Sequence, residues 1–444
     1  MFKHSDTILR KSLLPALSAL PASFKWTLLA LSCATLAACG GSDDDDVTTP
    51  PTAPETTVPA VPGETPKPTP EPEPQSPYIS AKAGDILKVK IEALHPTQTV
   101  IGYDQIYYNL ARKQPDIGRY APTSAGYLGD DDNDNYSRYI YRTERKRVDD
   151  YCADNGQGGV DDATFQPHTV RLIDPNTFKC TKPEPVAGSD DAKDLKTVVI
   201  GPKGLLYLTD GHHTFTALNE LSDGGPGLPV WVRVSDNYSD ATDMKVFWQR
   251  MQDNSFVWLR DAKNNPIDPS ALPDNIALAN FQDDTYRSLV YLTRDLGYSN
   301  KNVSEFAEFY WGSWLRGNGV DLSKYDLLNL DRSRVTVTNG VVAPRSGDSL
   351  TSYTAAVRDA SIRMIGMADT DLVVPGRTAA QQGKLAAPAS AGTWNDLLEE
   401  DVWRTDTNSS NRYRTAGKAW YAVKYRQCNG PAATQPACWL PSAQ

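Results

Sequence analysis

Between Gly40 and Pro77 the chain has almost no large apolar side chain, so nothing there offsets the entropy of ordering the backbone. The stretch opens on Gly40-Gly41-Ser42 and four aspartates, Asp43 to Asp46, and continues as a Pro/Thr/Glu-rich run. Repeated X-Pro steps, as in Lys67-Pro68-Thr69-Pro70-Glu71-Pro72-Glu73-Pro74, favour extended polyproline II. Residues 39–77 are therefore read as a tether, and whatever folds lies from about Tyr78 onward. That is enough chain for one large or two small domains.

Ahead of the tether, Lys3, Arg10, Lys11 and Lys25 precede a short apolar run from Trp26 to Ala38. The run is too short to span a bilayer as a mature helix and suits the core of a signal peptide. It ends in Leu36-Ala37-Ala38-Cys39-Gly40, which resembles the bacterial lipobox. Small residues there let a peptidase approach the backbone, and the thiol of Cys39 is the nucleophile that receives the lipid. The expectation is that residues 1–38 are removed and that Cys39 anchors the chain to a membrane. Gly40 after the cysteine, by resemblance to sorting rules in Gram-negative cells, favours the outer membrane, at its periplasmic face or the cell surface. The alternative is an ordinary secretory signal with an accidental cysteine.

Loss of that segment takes four of the 45 basic and one of the 55 acidic residues, leaving a net charge of −13. Such an acidic chain disfavours nonspecific attachment to nucleic acid or anionic lipid, while leaving room for a local basic pocket. Of six cysteines, Cys33 leaves with the signal and Cys39 is lipidated. The remaining Cys152, Cys180, Cys428 and Cys438 are an even number in an exported chain, which points to disulfides. Three pairings are open, and proximity favours Cys152–Cys180 with Cys428–Cys438. Zinc is disfavoured, because the cysteines are scattered and no histidine sits at ligand spacing.

Residues 86–91 alternate as a strand should, and His95-Pro96-Thr97-Gln98 closes it as a loop. A short helix is expected over 104–112, followed by a long polar insertion at about 114–194. Residues 197–200 and 205–208 read as a hairpin around Gly201-Pro202-Lys203-Gly204. A helix opens at the end of that hairpin and runs through Leu221, and Pro229-Val230-Trp231-Val232-Arg233-Val234 is a further strand. Apolar residues at helical spacing predict helices over 240–253, 284–296 and 303–316. Beyond Gly317 the signal weakens, with helical stretches at 354–367 and 410–425.

Asp210-Gly211-His212-His213-Thr214 is the most informative segment. It holds two of the four histidines that remain after the signal is removed, His95, His168, His212 and His213, at a strand-to-helix turn. Gly211 permits a positive φ or a close backbone approach, and Thr214 is placed to cap the helix. Free N–H groups at such a helix start attract anions, and imidazole can exchange protons near neutral pH. Asp210, His212 and His213 are the candidate catalytic residues, with Asp210 orienting a ring or binding a divalent metal ion. The bland alternative is an Asp-Gly turn with polar histidines on a surface.

The segment from Ile200 to Thr214 resembles the core box of the ParB-like nuclease family, within the ParB/sulfiredoxin superfamily. Three further stretches agree with that resemblance: Leu94-His95-Pro96-Thr97-Gln98 with Gly102, Asp283-Asp284-Thr285-Tyr286-Arg287-Ser288-Leu289, and Phe306 to Arg316. The resemblance covers about residues 85–320 and implies an α+β fold, a small mixed sheet with surrounding helices; the tail from about 321 is read as an appended C-terminal helical extension or as part of the same body. It also implies that the turn binds phosphate. The chain has no cysteine at that turn, which speaks against sulfiredoxin chemistry, and lacks the arginines of ParB there, which speaks against clamping a cytidine nucleotide.

The resulting expectation is a nuclease or phosphodiesterase acting on a nucleotide or nucleic acid. Gly211, Thr214 and Arg287 would hold phosphate, and Thr97 and Gln98 would close the pocket. A structural salt bridge is the competing role for Arg287. Competing readings of the whole chain are a non-catalytic anion-binding module and an envelope interaction protein with an inactive pocket. The run from Gly129 to Asn135 offers hard oxygen ligands for calcium, without the glycine and distal glutamate of an EF-hand. Trp311 and Trp314, three apart, are read as core or as pocket lining. Replacing Cys39 by Ala should abolish incorporation of labelled fatty acid and release the chain from the membrane pellet. Label retained by the variant would place the lipid elsewhere.

Overall fold

Three valines, Val230, Val232 and Val234, alternate with Trp231 and Arg233 along one strand, so they share a face at the two-residue period of extended chain. The computed structural model describes residues 76–120, 136–301, 303–339, 341–390, 393–394 and 417–439, all within one unit that runs from Pro72 onward. Cys39, the tether up to residue 75 and the acidic run at 129–135 lie outside the described residues.

The strands are β1 (Ile86–Lys90), β2 (Leu94–His95), β3 (Val100–Ile101), β4 (Thr197–Ile200), β5 (Leu206–Leu208) and β6 (Pro229–Asn237). Five of them form one mixed sheet in the order β1-β6-β4-β5-β2. The β1–β6 and β4–β5 pairs are antiparallel, and β6–β4 and β5–β2 are parallel. The predicted hairpin is the β4–β5 pair, with Val199 opposite Tyr207. β3 stands apart and pairs in parallel with β7 (Gln282–Asp283). The fold is α+β, as expected.

Both faces of the sheet are covered. On one, Val198, Ile200, Leu206, Leu208 and the three β6 valines pack on α1 (Tyr103–Lys113) through Ile106 and Leu110. They also meet α4 (His212–Glu220) through Phe215 and Leu218. Each such side chain, fully buried, contributes roughly 1.5–3 kcal/mol. On the other face, Val199 and Tyr207 meet Phe247 and Met251 of α5 (Met244–Asp253). The helix predicted over 240–253 begins only at Met244, because the Asp243 carboxylate accepts from the Val246 N–H (2.9 Å) and caps it there.

The insertion is polar in composition yet belongs to the sheet's core. It contains α2 (Tyr136–Arg142) and α3 (Glu144–Asp154). Val148, Tyr151 and Cys152, at i, i+3 and i+4 on α3, are buried with Val160, Val170, Leu172 and Phe178. Cys152 is bonded to Cys180, and Cys428 to Cys438, the two pairings that proximity favoured.

The helices predicted over 284–296 and 303–316 are α6 (Thr285–Thr293) and α7 (Ala307–Gly317). They do not pack around the sheet as expected. Leu289, Leu292, Trp311 and Leu315 form a second core with Tyr353, Val357, Ala360 and Met364 of α8 (Tyr353–Ile365) and Val423 of α9 (Lys418–Cys428). Residues 287 to 293 of α6 are buried on every side, and a helix buried all round needs partners on more than one face. The segment beyond 321 supplies them. α9 also lies against α1, where Tyr425 stacks on Tyr107 at 4.6 Å and Arg426 donates to Asp104 (2.5 Å) and Asp283 (2.8 Å).

Phe215 is fully buried where α4 meets the sheet. Replacing it with Ala should cost ~3–5 kcal/mol, read as a lower denaturant midpoint with little change in slope. A loss below ~1 kcal/mol would show that α4 is not held by this contact.

Candidate functional site

β5 ends at Leu208, and two residues later Gly211, at φ 100°, turns the chain into α4. A side chain there would be doubly excluded, since a Cβ would also come within 2.6 Å of Lys196 Cγ. The Phe215 N–H bonds back to the Gly211 carbonyl (2.9 Å), so the N–H groups of His212, His213 and Thr214 precede the first intrahelical acceptor. The cap expected from Thr214 is not made. Thr214 lies within the first turn, and Gly211 takes the cap position without a side-chain bond.

Both imidazoles point inward. His212 Nε2 accepts from the Thr97 N–H (3.1 Å), and His213 Nε2 accepts from the Gly102 N–H (3.1 Å). An Nε2 that accepts from a backbone amide carries no proton, so each neutral ring has its proton on Nδ1. Burial pushes His212 down to about 3. Burial, then the neighbouring Arg287 guanidinium, hold His213 well below the usual histidine range. This arrangement suits the rings to holding the 97–102 loop in place, and less to exchanging protons near neutrality.

Beside His213 lies a buried charge cluster. Arg287 and Arg294 both pair with Glu308, which also accepts from the Tyr298 hydroxyl (2.6 Å). Burial alone would raise the Glu308 carboxyl, but the two guanidiniums outweigh it and hold it well below the usual carboxylate range. Arg287 therefore has the structural salt bridge that was its competing role. It uses one nitrogen for nearly everything: Nη2 meets Glu308 and Gln105 Oε1 (3.1 Å), and stands 3.4 Å from His213 Nδ1, which as an N–H accepts nothing from it. Its Nε and Nη1 are buried without a hydrogen-bond partner among the described residues. A buried donor left unsatisfied costs about 1–3 kcal/mol, and more when charged.

These residues line a cleft of about 490 Å³. Asp210, Gly211, His212, His213, Thr214, Arg287 and Gln98 of the predicted set all face it. Thr97 does not. It lies beneath, fully buried, with its hydroxyl donating to the Leu208 carbonyl (2.6 Å). Gln98 is fastened through its amide to the Val100 carbonyl (2.7 Å). Among the described residues no group of three or more His, Cys, Asp or Glu side chains is arranged to hold a metal ion.

The sequence reading missed Glu308, Arg294, Lys196, Asp154 and Glu305, which also line the cleft. One signal was available: Arg287 and Arg294 are seven apart, two turns along the helix predicted over 284–296, although Arg294 falls just past the end of α6. At the cleft's mouth Lys196 pairs with the half-exposed Asp210 carboxylate (4.0 Å). Burial pushes Asp154 up against the pull of Lys196. Burial and the nearby Asp210 push Glu305 up to about 7, against the pull of Arg233 and Lys196.

A family model described as ParB-like nuclease matches residues 87–317, which spans both the sheet and the cleft. The chain is similar to a crystal structure of protein Atu1540 from Agrobacterium tumefaciens, with 20% identity over 54% of this chain and 81% of that one and a TM-score of 0.31. No curated protein matches.

The buried histidines give the site a signature in acid. An unfolded imidazole takes up a proton near pH 6.5 while the folded His212 refuses it down to about 3. The unfolded state thus binds more protons across that window, and stability is full above it and falls as the pH drops through it. His212→Gln should flatten the fall by ~1.4 kcal/mol per pH unit in denaturant titrations. Identical slopes for variant and wild type would mean that His212 is not held neutral.

Proposed function

This chain belongs to the ParB-like nuclease family, and we propose that its cleft holds a phosphoryl group at the start of α4 and hydrolyses phosphodiesters there. The observation that carries the reading is the pair of unpartnered donors on Arg287, buried beside a helix start whose first N–H groups are free of intrahelical acceptors. A phosphate has enough acceptor oxygens to meet both sets, and backbone amides at a helix start favour its charge. His212 and His213 act in this reading through their Nδ1–H groups and by fixing the loop that carries Gln98. Asp210, at the mouth, sits where a leaving group or a divalent ion would approach.

The chain acts in this proposal as a lipoprotein tethered through Cys39 to the cell envelope. Among the described residues no helix is long and apolar enough to cross a membrane.

A second reading is favoured by the charge of the mouth, where Asp154, Asp210 and Glu305 stand against Lys196. Three carboxylates repel a long polyanion, so the site would capture a compact anion without turning it over.

One experiment separates the two. The purified full chain is incubated with single-stranded DNA, RNA and a chromogenic phosphodiester, with and without Mg2+ or Mn2+, while inorganic phosphate binding is followed by calorimetry. Hydrolysis that drops at least about 10²-fold in Arg287→Met supports the enzyme. Phosphate binding with no turnover of any substrate supports the capture module. Neither binding nor turnover would end both.

A further inference from the structure

We propose that Glu305 is the proton acceptor of this cleft, taking a proton from the water that attacks a phosphodiester held at the α4 start. The inference rests on the hydrolytic reading above and gives that site its base.

The first argument is geometric. Glu305 lines the same cleft as the α4 start and Arg287. Its carboxyl makes no hydrogen bond or ion pair among the described residues. Of the other acids, Glu308 is engaged by two arginines and Tyr298, and Asp210 by Lys196, which leaves Asp154 as the one competitor among the described residues lining the cleft. The histidines offer no competing base, because each Nε2 is already taken by a backbone amide.

The second argument is conformational. The helix predicted over 303–316 begins only at Ala307, because Phe306 adopts a left-handed conformation at φ 58°. A bulky residue there is an outlier costing about 1–3 kcal/mol, and such strain collects at functional sites. Aromatic packing holds the ring: it stacks on Trp258 at 6.3 Å and lies tilted against Phe309 at 6.0 Å. The strained residue is the immediate neighbour of Glu305, and both face the cleft.

Electrostatics agree. The groups facing Glu305 are Asp210, Arg233 and Lys196, with Asp154, His212, His213, Arg287, Arg294 and Glu308 farther around the cleft. Burial and Asp210 bring the carboxyl to about 7, where a base is both free to accept a proton and strong enough to do so. In the step itself a bond forms between the water oxygen and phosphorus as the bond from phosphorus to the leaving oxygen breaks. One proton of the water passes to Glu305, and the leaving alkoxide takes a proton from solvent or from the protonated Glu305.

The test is the pH profile of bis(p-nitrophenyl) phosphate hydrolysis by the full chain, wild type against Glu305→Gln, Glu305→Asp and Asp154→Asn. Wild type should show a rising limb in kcat/KM centred near pH 7. Glu305→Gln should lose that limb and about 10²–10⁴-fold in kcat with KM little changed. Glu305→Asp should keep the limb at a reduced rate. Equal melting temperatures of wild type and Glu305→Gln at pH 5.5, where the carboxyl is mostly neutral, show that the fold survives. A limb that persists in Glu305→Gln, or that vanishes in Asp154→Asn instead, overturns the assignment and leaves the hydrolytic reading standing. A wild-type chain that turns over no phosphodiester overturns both, and that failure is recognised in the wild type alone.

Discussion

Hydrogen bonds from the Thr97 and Gly102 N–H groups to the His212 and His213 rings cross from the end of β2 and the start of α1 to the first turn of α4. They join parts of the chain more than a hundred residues apart, and the cleft exists because they do. Without them the 97–102 loop would have two buried N–H groups with no acceptor, and the histidines would have buried ring nitrogens with no donor. Either loss costs free energy comparable to a hydrogen bond in a site sealed from water. The burial that makes these bonds necessary also keeps the rings neutral, so the site's arrangement and its electrostatics share one cause.

The second constraint is the buried triad of Glu308 with Arg287 and Arg294. Two cations and one anion out of water are not a stabilising set in themselves, since desolvation can exceed the mutual attraction. One negative charge is lacking for neutrality within the triad, and Arg287 has buried donors to spare. A bound anion would supply both the charge and the acceptors. The helices that hold the triad belong to the second core, not to the sheet. The cleft thus lies between two packed clusters, which explains why the region beyond 321 matters to a site it does not line. α8 and α9 brace α6 and α7, and Arg426 of α9 ties Asp104 of α1 to Asp283 just ahead of α6.

Polarity misleads in the insertion. Its composition suggests a surface excursion, but Val148, Tyr151 and Cys152 lie on one side of α3 and enter the sheet's core, with a disulfide fastening the far end of the segment. Spacing, not average hydropathy, carried that information. α6 shows the converse limit. Its periodicity announced a helix correctly, but its burial on all sides required a partner that no local pattern names.

Sequence alone determined the strands β1, β4, β5 and β6, the hairpin, most helices and the glycine turn at 211, because these follow from the two periodicities and from φ preferences local to a few residues. It also singled out Asp210, His212, His213, Thr214, Arg287 and Gln98, all of which reach the cleft. What only the tertiary structure decided was the work open to each of them. Thr97 lies beneath the cleft, the histidines receive backbone amides, and Arg287 divides itself between Glu308 and the open space. Glu305 is ordinary in sequence and becomes a group that titrates near neutrality only where burial and Asp210 act on it together. Protonation depends on the dielectric and the charges around an atom, and those surroundings are assembled from distant segments of chain that come together only when it folds.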